Sequence, residues 1–302
     1  MILIFILHAL FATVFPLTRI AVQSSGPIFF TGMRMTLSGI ILLIYEYTSG
    51  TLKFDSLKAN FFKILLLALF NIFLTNVPEF WSLQFITSGK AVFIYSLCPF
   101  ISAIFDYFLL KQKITWKQLM GMVIGSLGFL IVLIRQNKCE QELGGLLFLS
   151  WPEIAMVVAA LSTVYGWIVM RQLMKTNEIT SITANGSSMF LGGIMAFITS
   201  PFLEKWNPIP VCNISTFITT LLMISIISNF ICYNLYGYLL KKYSATLVSF
   251  VGFTQLIFAT AYGRIFLGEQ IAPYFIIASC VIFVALYIFY SEELKHGNLY
   301  SQ

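Results

Sequence analysis

An acidic side chain stands inside a long apolar segment of this sequence. Glu79 lies in the run 61–84, which is long enough for one membrane-spanning helix. The residues that share its face of that helix are mostly polar: Ile72, Thr75, Asn76 and Ser82. A carboxylate held inside a membrane can recognise a positively charged group or carry a proton. This face therefore predicts a site for one of those two tasks.

A basic side chain is expected at a similar depth. Arg34 in the run 26–47 would lie roughly 12 Å below the membrane surface at 1.5 Å per residue, and Glu79 would lie at a comparable depth. A charge at this depth costs about 2.5 to 3.5 kcal/mol on insertion scales, so each charge needs a reason. Two interpretations stay open, and they can coexist. Either the two side chains form an ion pair that fastens the two spans, or at least one of them serves a solute or a proton.

A second polar stripe follows 157 residues later in the chain. That shift lays Ile72, Asn76 and Glu79 over residues that again share one helix face: Asn229, Tyr233 and Tyr236. A polar face turned to lipid has no partner, so both stripes are expected to line a cavity between two halves of the chain. Nearby aromatic and amide side chains could stack on a solute or bind it, although such aromatics also serve packing. The candidate substrate-binding residues are Glu79, Arg34, Asn76, Trp81, Tyr95, Trp167, Asn229, Tyr233, Tyr236 and Gln255.

The elements that must position these residues follow from composition. The 302 residues are 59% hydrophobic and 10% charged, with a mean hydropathy of +0.88, which is far more apolar surface than a soluble core of this length could hide. The sequence predicts an all-α integral membrane protein. Its ten apolar runs, each sufficient for a transmembrane helix, are 1–22, 26–47, 61–84, 91–110, 114–134, 153–172, 182–201, 216–240, 245–267 and 271–291.

The distribution of the basic residues indicates how the chain is oriented in the membrane. Ten spans place both termini on the same side, and most lysines and arginines outside the spans then fall on that side too. The positive-inside rule therefore predicts a multi-pass protein of the inner (cytoplasmic) cell membrane with both termini in the cytoplasm. The five cysteines show no paired spacing, so neither a metal site nor a disulfide framework is predicted, and no cofactor is expected.

The 157-residue shift also relates longer segments. It lays VFIYSLCPFISAIFDYFLLKQKIT over SFVGFTQLIFATAYGRIFLGEQIA with the same hydropathy outline. The chain is predicted to consist of two five-helix repeats, 1–138 and 139–302. Because five is odd, the second repeat would be inverted in the membrane. The basic link LLKQKITWK would then face the cytosol, and its counterpart FLGEQIAPY, which has no lysine, would face outward.

These features resemble a known family. Ten short helices in two inverted halves, the arginine of FFTGMRMTLSGIILL, the phrase SLCPFISAIFDYFLLKQKITWKQLMGMVIGSLGFLIV and the later FLGEQI are similar to the drug/metabolite transporter superfamily, in particular its EamA-type permeases. The resemblance covers nearly the whole chain and implies transport by alternating access. Two departures stand out. Lys111, Gln112 and Lys113 occupy the place of the family's glycine and glutamate, and Glu79 has no counterpart that the resemblance supplies.

Other classes of protein fit the sequence less well. The chain has only two histidines, His8 and His296, and neither a GxSxG motif nor paired metal ligands, which leaves little for the hydrolytic chemistry of an intramembrane enzyme. A non-transporting scaffold would not need polar stripes in both halves. Because the chain also carries no domain for nucleotide hydrolysis, the sequence predicts secondary transport, driven by the solute's gradient, by exchange or by protons.

The kind of solute follows from the expected charge of the cavity. A nearly neutral, aromatic-lined cavity suits a small zwitterion or a cation with a flat apolar part. An amino acid fits, as does S-adenosylmethionine, whose adenine could stack while its sulfonium faces Glu79. The alternative is a nucleotide-sugar or phosphate-metabolite antiporter, which would need concentrated positive charge. The expected partners are this solute and the lipid bilayer, with no nucleic acid, and a homodimer is left open.

Overall fold

The computed structural model describes residues 2–111, 114–134, 137–175, 179–243, 248, 251–270 and 272–291. Three of the predictions above fall wholly or partly outside these residues: the family departure at Gln112 and Lys113, the start of the expected span 245–267, and the C-terminus. Helices dominate the described chain. Their bounds are α1 Ile2–Ser24, α2 Pro27–Thr48, α3 Phe54–Ala59, α4 Phe61–Leu67, α5 Leu74–Ser82, α6 Ser88–Tyr95, α7 Cys98–Leu110, α8 Trp116–Leu133, α9 Lys138–Leu143, α10 Trp151–Lys175, α11 Ser181–Leu203, α12 Ile214–Ile224, α13 Tyr233–Lys242, α14 Thr254–Leu267 and α15 Pro273–Tyr290.

The protein is an all-α multi-pass membrane protein. In the described ranges, nine helical segments are long and apolar enough to cross a membrane. Large apolar side chains such as Phe202, Leu222 and Ile265 are exposed on the bundle surface, where a soluble protein would place polar groups. The expected span 245–267 contains α14, which begins at Thr254. A two-stranded antiparallel ribbon, β1 Gly145–Leu146 with β2 Leu149–Ser150, precedes α10.

Two of the spans contain a π-helical stretch. Ala68–Phe73 lies between α4 and α5, and Ser225–Cys232 lies between α12 and α13. The first residues of the two stretches correspond to each other under the 157-residue shift found in the sequence. A π-helical turn widens the helix and occurs often at functional sites. Both stretches lie in the middle of their spans, next to the residues of the two polar stripes.

The helices α2 and α11 pack along each other and are joined at both ends by a carboxylate. At one end Glu204 accepts hydrogen bonds from the backbone N–H groups of Ile28 (2.7 Å) and Phe29 (2.9 Å). At the other end Glu46 accepts a bond from the hydroxyl of Thr183 at 2.8 Å, in the first turn of α11. Carboxylates are favourable at helix N-termini because they meet unpaired N–H groups and the positive end of the helix dipole. The two carboxylates therefore hold this helix pair antiparallel.

Glycines of α8 allow its neighbours α15 and α7 to approach closely. A Cβ atom on Gly121 would lie 2.7 Å from the backbone oxygen of Ala285 on α15, and one on Gly125 would lie 2.5 Å from the ring of Phe100 on α7. Such distances are far below contact, so larger residues would push the helices apart.

A buried charge cluster ties the segment before α10 to α6. The ammonium of Lys90 lies 2.6 Å from a carboxylate oxygen of Glu140 and 2.6 Å from one of Glu153. Glu153 also accepts a 2.6 Å bond from the backbone N–H of Ser150, which caps the start of α10. This cluster fixes the link between the two halves of the chain against the helix bundle.

Candidate solute-binding cavity

A central cavity of about 210 Å³ opens between α1, α5, α7, α10, α13 and α14. Side chains from both π-helical stretches, Asn71 and Ser228, reach its wall. The cavity brings together seven of the ten candidate residues from the sequence: Asn76, Glu79, Tyr95, Trp167, Tyr233, Tyr236 and Gln255. The two polar stripes thus lie around one space, as expected from their helical spacing.

Glu79 provides the acidic group of this cavity. Among the described residues that line it, no other has an acidic side chain. Its Oε2 accepts a 2.7 Å hydrogen bond from the hydroxyl of Tyr95 on α6. Tyr95 lies within 3.5 Å of the Thr163 hydroxyl on α10, which itself is 3.0 Å from the hydroxyl of Thr75. Three helices therefore hold the carboxylate in place, and no described side chain donates to its other oxygen, Oε1.

Arg34 does not pair with Glu79, which corrects the ion-pair interpretation. Within the described chain, no ion pair joins these two residues. The guanidinium of Arg34 instead donates to Oδ1 of Asn76 and lies 4.7 Å from the ring centre of Phe80. The reason is local: Asn76 lies one helical turn before Glu79 and takes up the guanidinium, while Glu79 is turned toward Tyr95. Arg34 is fully buried and lies behind Asn76, outside the cavity lining.

The Asn76 amide links this buried arginine to the cavity. Its nitrogen Nδ2 donates to the backbone oxygen of Ile72 at 2.8 Å and to the hydroxyl of Tyr233 at 3.4 Å. Tyr233 belongs to the second polar stripe, so this contact joins the two stripes directly. The sequence placed both residues on cavity-facing stripes but could not indicate that they touch.

Aromatic rings form one wall of the cavity. Trp167 and Tyr236 are stacked, with ring centres 4.0 Å apart and an angle of 25° between the planes. Tyr233 lies 5.6 Å from Trp167, and the edge of Phe11 approaches Tyr233 at 6.0 Å. Flat rings held in this way offer a surface on which another planar group can stack.

Three candidate residues stand apart from the cavity. Arg34 is described above. Asn229 is fully buried and donates to the hydroxyl of Ser38 at 2.9 Å. Trp81 packs against Phe85 with ring centres 5.3 Å apart. Their roles in binding stay predictions, and their contacts in this structure are packing contacts.

Sequence reasoning missed the basic residues at one end of the cavity. Arg171, Gln172 and Lys175 line it at the end where α10 finishes, and Lys175 is exposed to the surface. The spacing in the sequence could have indicated them. One face of α10 carries a residue at every fourth position: Thr163, Trp167 and Arg171. The cavity therefore runs along this face from the level of Glu79 to the protein surface.

Beyond the other end of the cavity lie contacts that the sequence did not indicate. Arg19 near the end of α1 forms an ion pair with Glu269 in the link between α14 and α15. Glu269 also accepts bonds from the backbone N–H of Ser88 (3.0 Å) and from its hydroxyl (3.1 Å), at the start of α6. These contacts join the first and second halves of the chain above Glu79.

An apolar bundle of spanning helices around a cavity that holds buried polar groups and reaches one end of the bundle is typical of a membrane carrier. The model of the EamA-like transporter family matches residues 1–134 and 150–291, and the chain belongs to this family. The resemblance seen in the sequence is thereby confirmed, and with it the class of transporter.

Two relatives carry a function in their names. The chain is 35% identical to the S-adenosylmethionine/S-adenosylhomocysteine transporter of Chlamydia muridarum, over 99% of this chain and 94% of the relative. It is 34% identical to the protein of the same name from Chlamydia trachomatis serovar D, over 98% and 90% of the two chains. A solved crystal structure shares the fold with a TM-score of 0.65 at 14% identity, covering 93% of this chain and 95% of the other.

Proposed function

We propose that this protein transports a small zwitterionic or cationic metabolite of the S-adenosylmethionine type. The observation that carries the proposal is the pairing, in one cavity, of a lone carboxylate with a stacked aromatic wall. Glu79 would face the positive group of the solute, and Trp167 would stack on its adenine. The names of the Chlamydia relatives support the same choice of solute.

The spacing of the two groups supports this assignment. Thr163 lies within hydrogen-bonding distance of Tyr95, which holds Glu79, so it marks the level of the carboxylate. Trp167 follows four residues later on the same helix, roughly 6 Å along its axis. A solute that bridges the two must carry a cation and a planar ring a few bonds apart. S-adenosylmethionine has this arrangement, since its sulfonium is joined to adenine through ribose.

A phosphate-bearing solute is the alternative, and the basic residues Arg171 and Lys175 at the cavity end favour it. The carboxylate of Glu79 argues against it, because a phosphate at the level of Glu79 in the cavity would be repelled by this negative charge. Arg34 supplies no positive charge to such a solute, because it is fully buried outside the lining of the cavity. The cavity therefore suits a cation or zwitterion better than a nucleotide sugar.

The proposal includes alternating access by two inverted five-helix repeats, 1–138 and 139–302. The matching positions of the π-helical stretches support it, as do the reciprocal carboxylates Glu46 and Glu204 at opposite ends of the α2–α11 pair. With both termini in the cytoplasm of an inner-membrane protein, Lys175 marks the cytosolic end of the cavity. The structure would then be the inward-facing state, with Arg19 and Glu269 on the closed outer side.

The mode of transport is proposed to be secondary, by exchange of one adenosyl compound for another, without enzymatic conversion. The name of the Chlamydia muridarum relative gives two compounds, S-adenosylmethionine and S-adenosylhomocysteine, which supports exchange of one for the other. A thermal-shift screen of the purified protein against amino acids, adenosyl compounds and nucleotide sugars tests the solute class. We expect S-adenosylmethionine and S-adenosylhomocysteine to raise the melting temperature. Stabilisation by nucleotide sugars alone would contradict the proposal.

A further inference from the structure

The orientation of the Asn76 amide determines whether its oxygen or its nitrogen meets the hydroxyl of Tyr233 in the cavity wall. The guanidinium of Arg34 has only donors, so the Asn76 atom that it contacts must be the acceptor Oδ1. The other end of the amide, Nδ2, is then the donor toward the hydroxyl of Tyr233, 3.4 Å away. The backbone oxygen of Ile72 only accepts and lies 2.8 Å from Nδ2, so it and Arg34 fix the same orientation of the amide.

The hydroxyl of Tyr233 consequently accepts a hydrogen bond from Asn76 and keeps its own hydrogen. In the described chain no other group accepts that hydrogen. The ring of Tyr233 is held by Trp167 and Phe11 and lines the central cavity. The hydroxyl of Tyr233 therefore offers a donor on the cavity wall to a solute that can accept from it.

We infer that Asn76, oriented by Arg34 and by the backbone of Ile72, is a positioning residue that directs the Tyr233 hydroxyl as a hydrogen-bond donor toward the carboxylate of the transported solute. This inference rests on the proposed function and specifies how the site recognises its solute. Asn76 and Glu79 are three residues apart, about 4.5 Å along the helix axis. An α-amino acid group carries ammonium and carboxylate on one carbon, so one such group reaches both Glu79 and Tyr233.

Two substitutions remove this donor in different ways. Tyr233→Phe deletes the hydroxyl and keeps the ring. Asn76→Asp keeps the shape and gives Arg34 a carboxylate partner, but its two oxygens only accept. The Tyr233 hydroxyl would then donate to the new carboxylate and be lost to the solute. Tyr262→Phe, at a tyrosine outside the cavity lining that packs on Phe258, is the matched control.

The experiment measures binding of two probes to the purified full-length protein, by calorimetry. S-adenosylmethionine carries the carboxylate, and its decarboxylated analogue carries the same sulfonium, ammonium and adenine without it. We expect Tyr233→Phe to weaken binding of S-adenosylmethionine about tenfold and to leave the analogue within about twofold, as one hydrogen bond to a charged group predicts. Asn76→Asp should lower the preference for S-adenosylmethionine over the analogue in the same direction. The double variant should lower that preference no further than either single change.

Three other outcomes would overturn the inference. Equal losses for both probes would mean that Tyr233 packs against the solute without binding its carboxylate. Unchanged binding of both probes to Tyr233→Phe would mean that the hydroxyl has no part in recognition. If the wild-type protein bound neither probe, the proposed function itself would fail, and this inference with it. If Asn76→Asp does not fold, Tyr233→Phe and its control decide alone.

Discussion

The hydroxyl of Tyr95 lies 2.7 Å from Oε2 of Glu79 and joins α6 to α5 at the floor of the cavity. One oxygen of the carboxylate is thereby held by the protein, while no described side chain donates to the other, and Glu79 lines the cavity. A carboxylate that is fixed in this way loses little freedom on binding a cation. Glu79 is for this reason the residue on which the binding account depends.

Glu79→Gln tests that account through affinity. The change keeps size and hydrogen bonding but removes the charge, which for a partly desolvated pair contributes about 1.5 to 3 kcal/mol, or roughly ten- to a hundredfold in affinity. S-adenosylmethionine binding to the purified protein should fall by that factor while the protein still folds. If Glu79 carried a coupling proton instead, affinity would survive and pH-driven accumulation would disappear. Unchanged affinity and unchanged accumulation together would show that Glu79 is a structural partner of Tyr95.

Trp167→Ala tests the stacking wall. Loss of the ring that stacks on Tyr236 should weaken binding of S-adenosylhomocysteine by about two- to tenfold, since an aromatic pair contributes about 0.5 to 1.5 kcal/mol beyond its buried area. Methionine, which has no adenine, should bind the variant and the wild type alike. Equal losses for both ligands, measured by calorimetry, would indicate that the variant has damaged the cavity in general.

Glu269→Gln should open the outer side of the protein more often. The change removes the ion pair with Arg19, which in the proposed inward-facing state would close that side together with the bonds to Ser88. Cys98 lines the cavity and serves as a natural reporter once the other cysteines are replaced by serine. A membrane-impermeant thiol reagent applied outside should label Cys98 several-fold faster in the variant, and the cytosolic rate should not rise. Equal outside rates in both proteins would mean that this contact is no closure.

Cysteine labelling also tests the inverted repeats. A probe at Lys113 should react only from the cytosolic side, and a probe at Gln270 only from outside. Both positions belong to links that the 157-residue shift relates to each other. Finding the two probes on one side of the membrane would end the inverted-repeat account.

Much of the helical framework could be predicted from the sequence, because span length and hydropathy are local properties. The run 26–47 is found as α2, Pro27–Thr48, and the shared face of Asn76 and Glu79 indeed lines a cavity. Helical periodicity fixes which residues share a face, and a polar face must find a polar space. Those two rules were enough to place Asn76, Glu79, Tyr233 and Tyr236 at the cavity.

The pairing of charges could not be predicted in the same way. Depth in the membrane made Arg34 and Glu79 plausible partners, but depth does not determine the direction of a side chain around the helix. The guanidinium of Arg34 contacts Asn76 and Phe80, and Tyr95 donates to Glu79. The contact of Arg19 with Glu269 joins residues 250 positions apart, which no local pattern reveals.

Exchange across a membrane is the most direct test of the central claim. Purified protein in liposomes loaded with S-adenosylhomocysteine should accumulate labelled S-adenosylmethionine from outside far faster than liposomes loaded with buffer, and the Glu79→Gln protein should lose most of this difference. Uptake that equals that of protein-free liposomes, or that is driven by a nucleotide sugar and not by S-adenosylhomocysteine, would contradict the account.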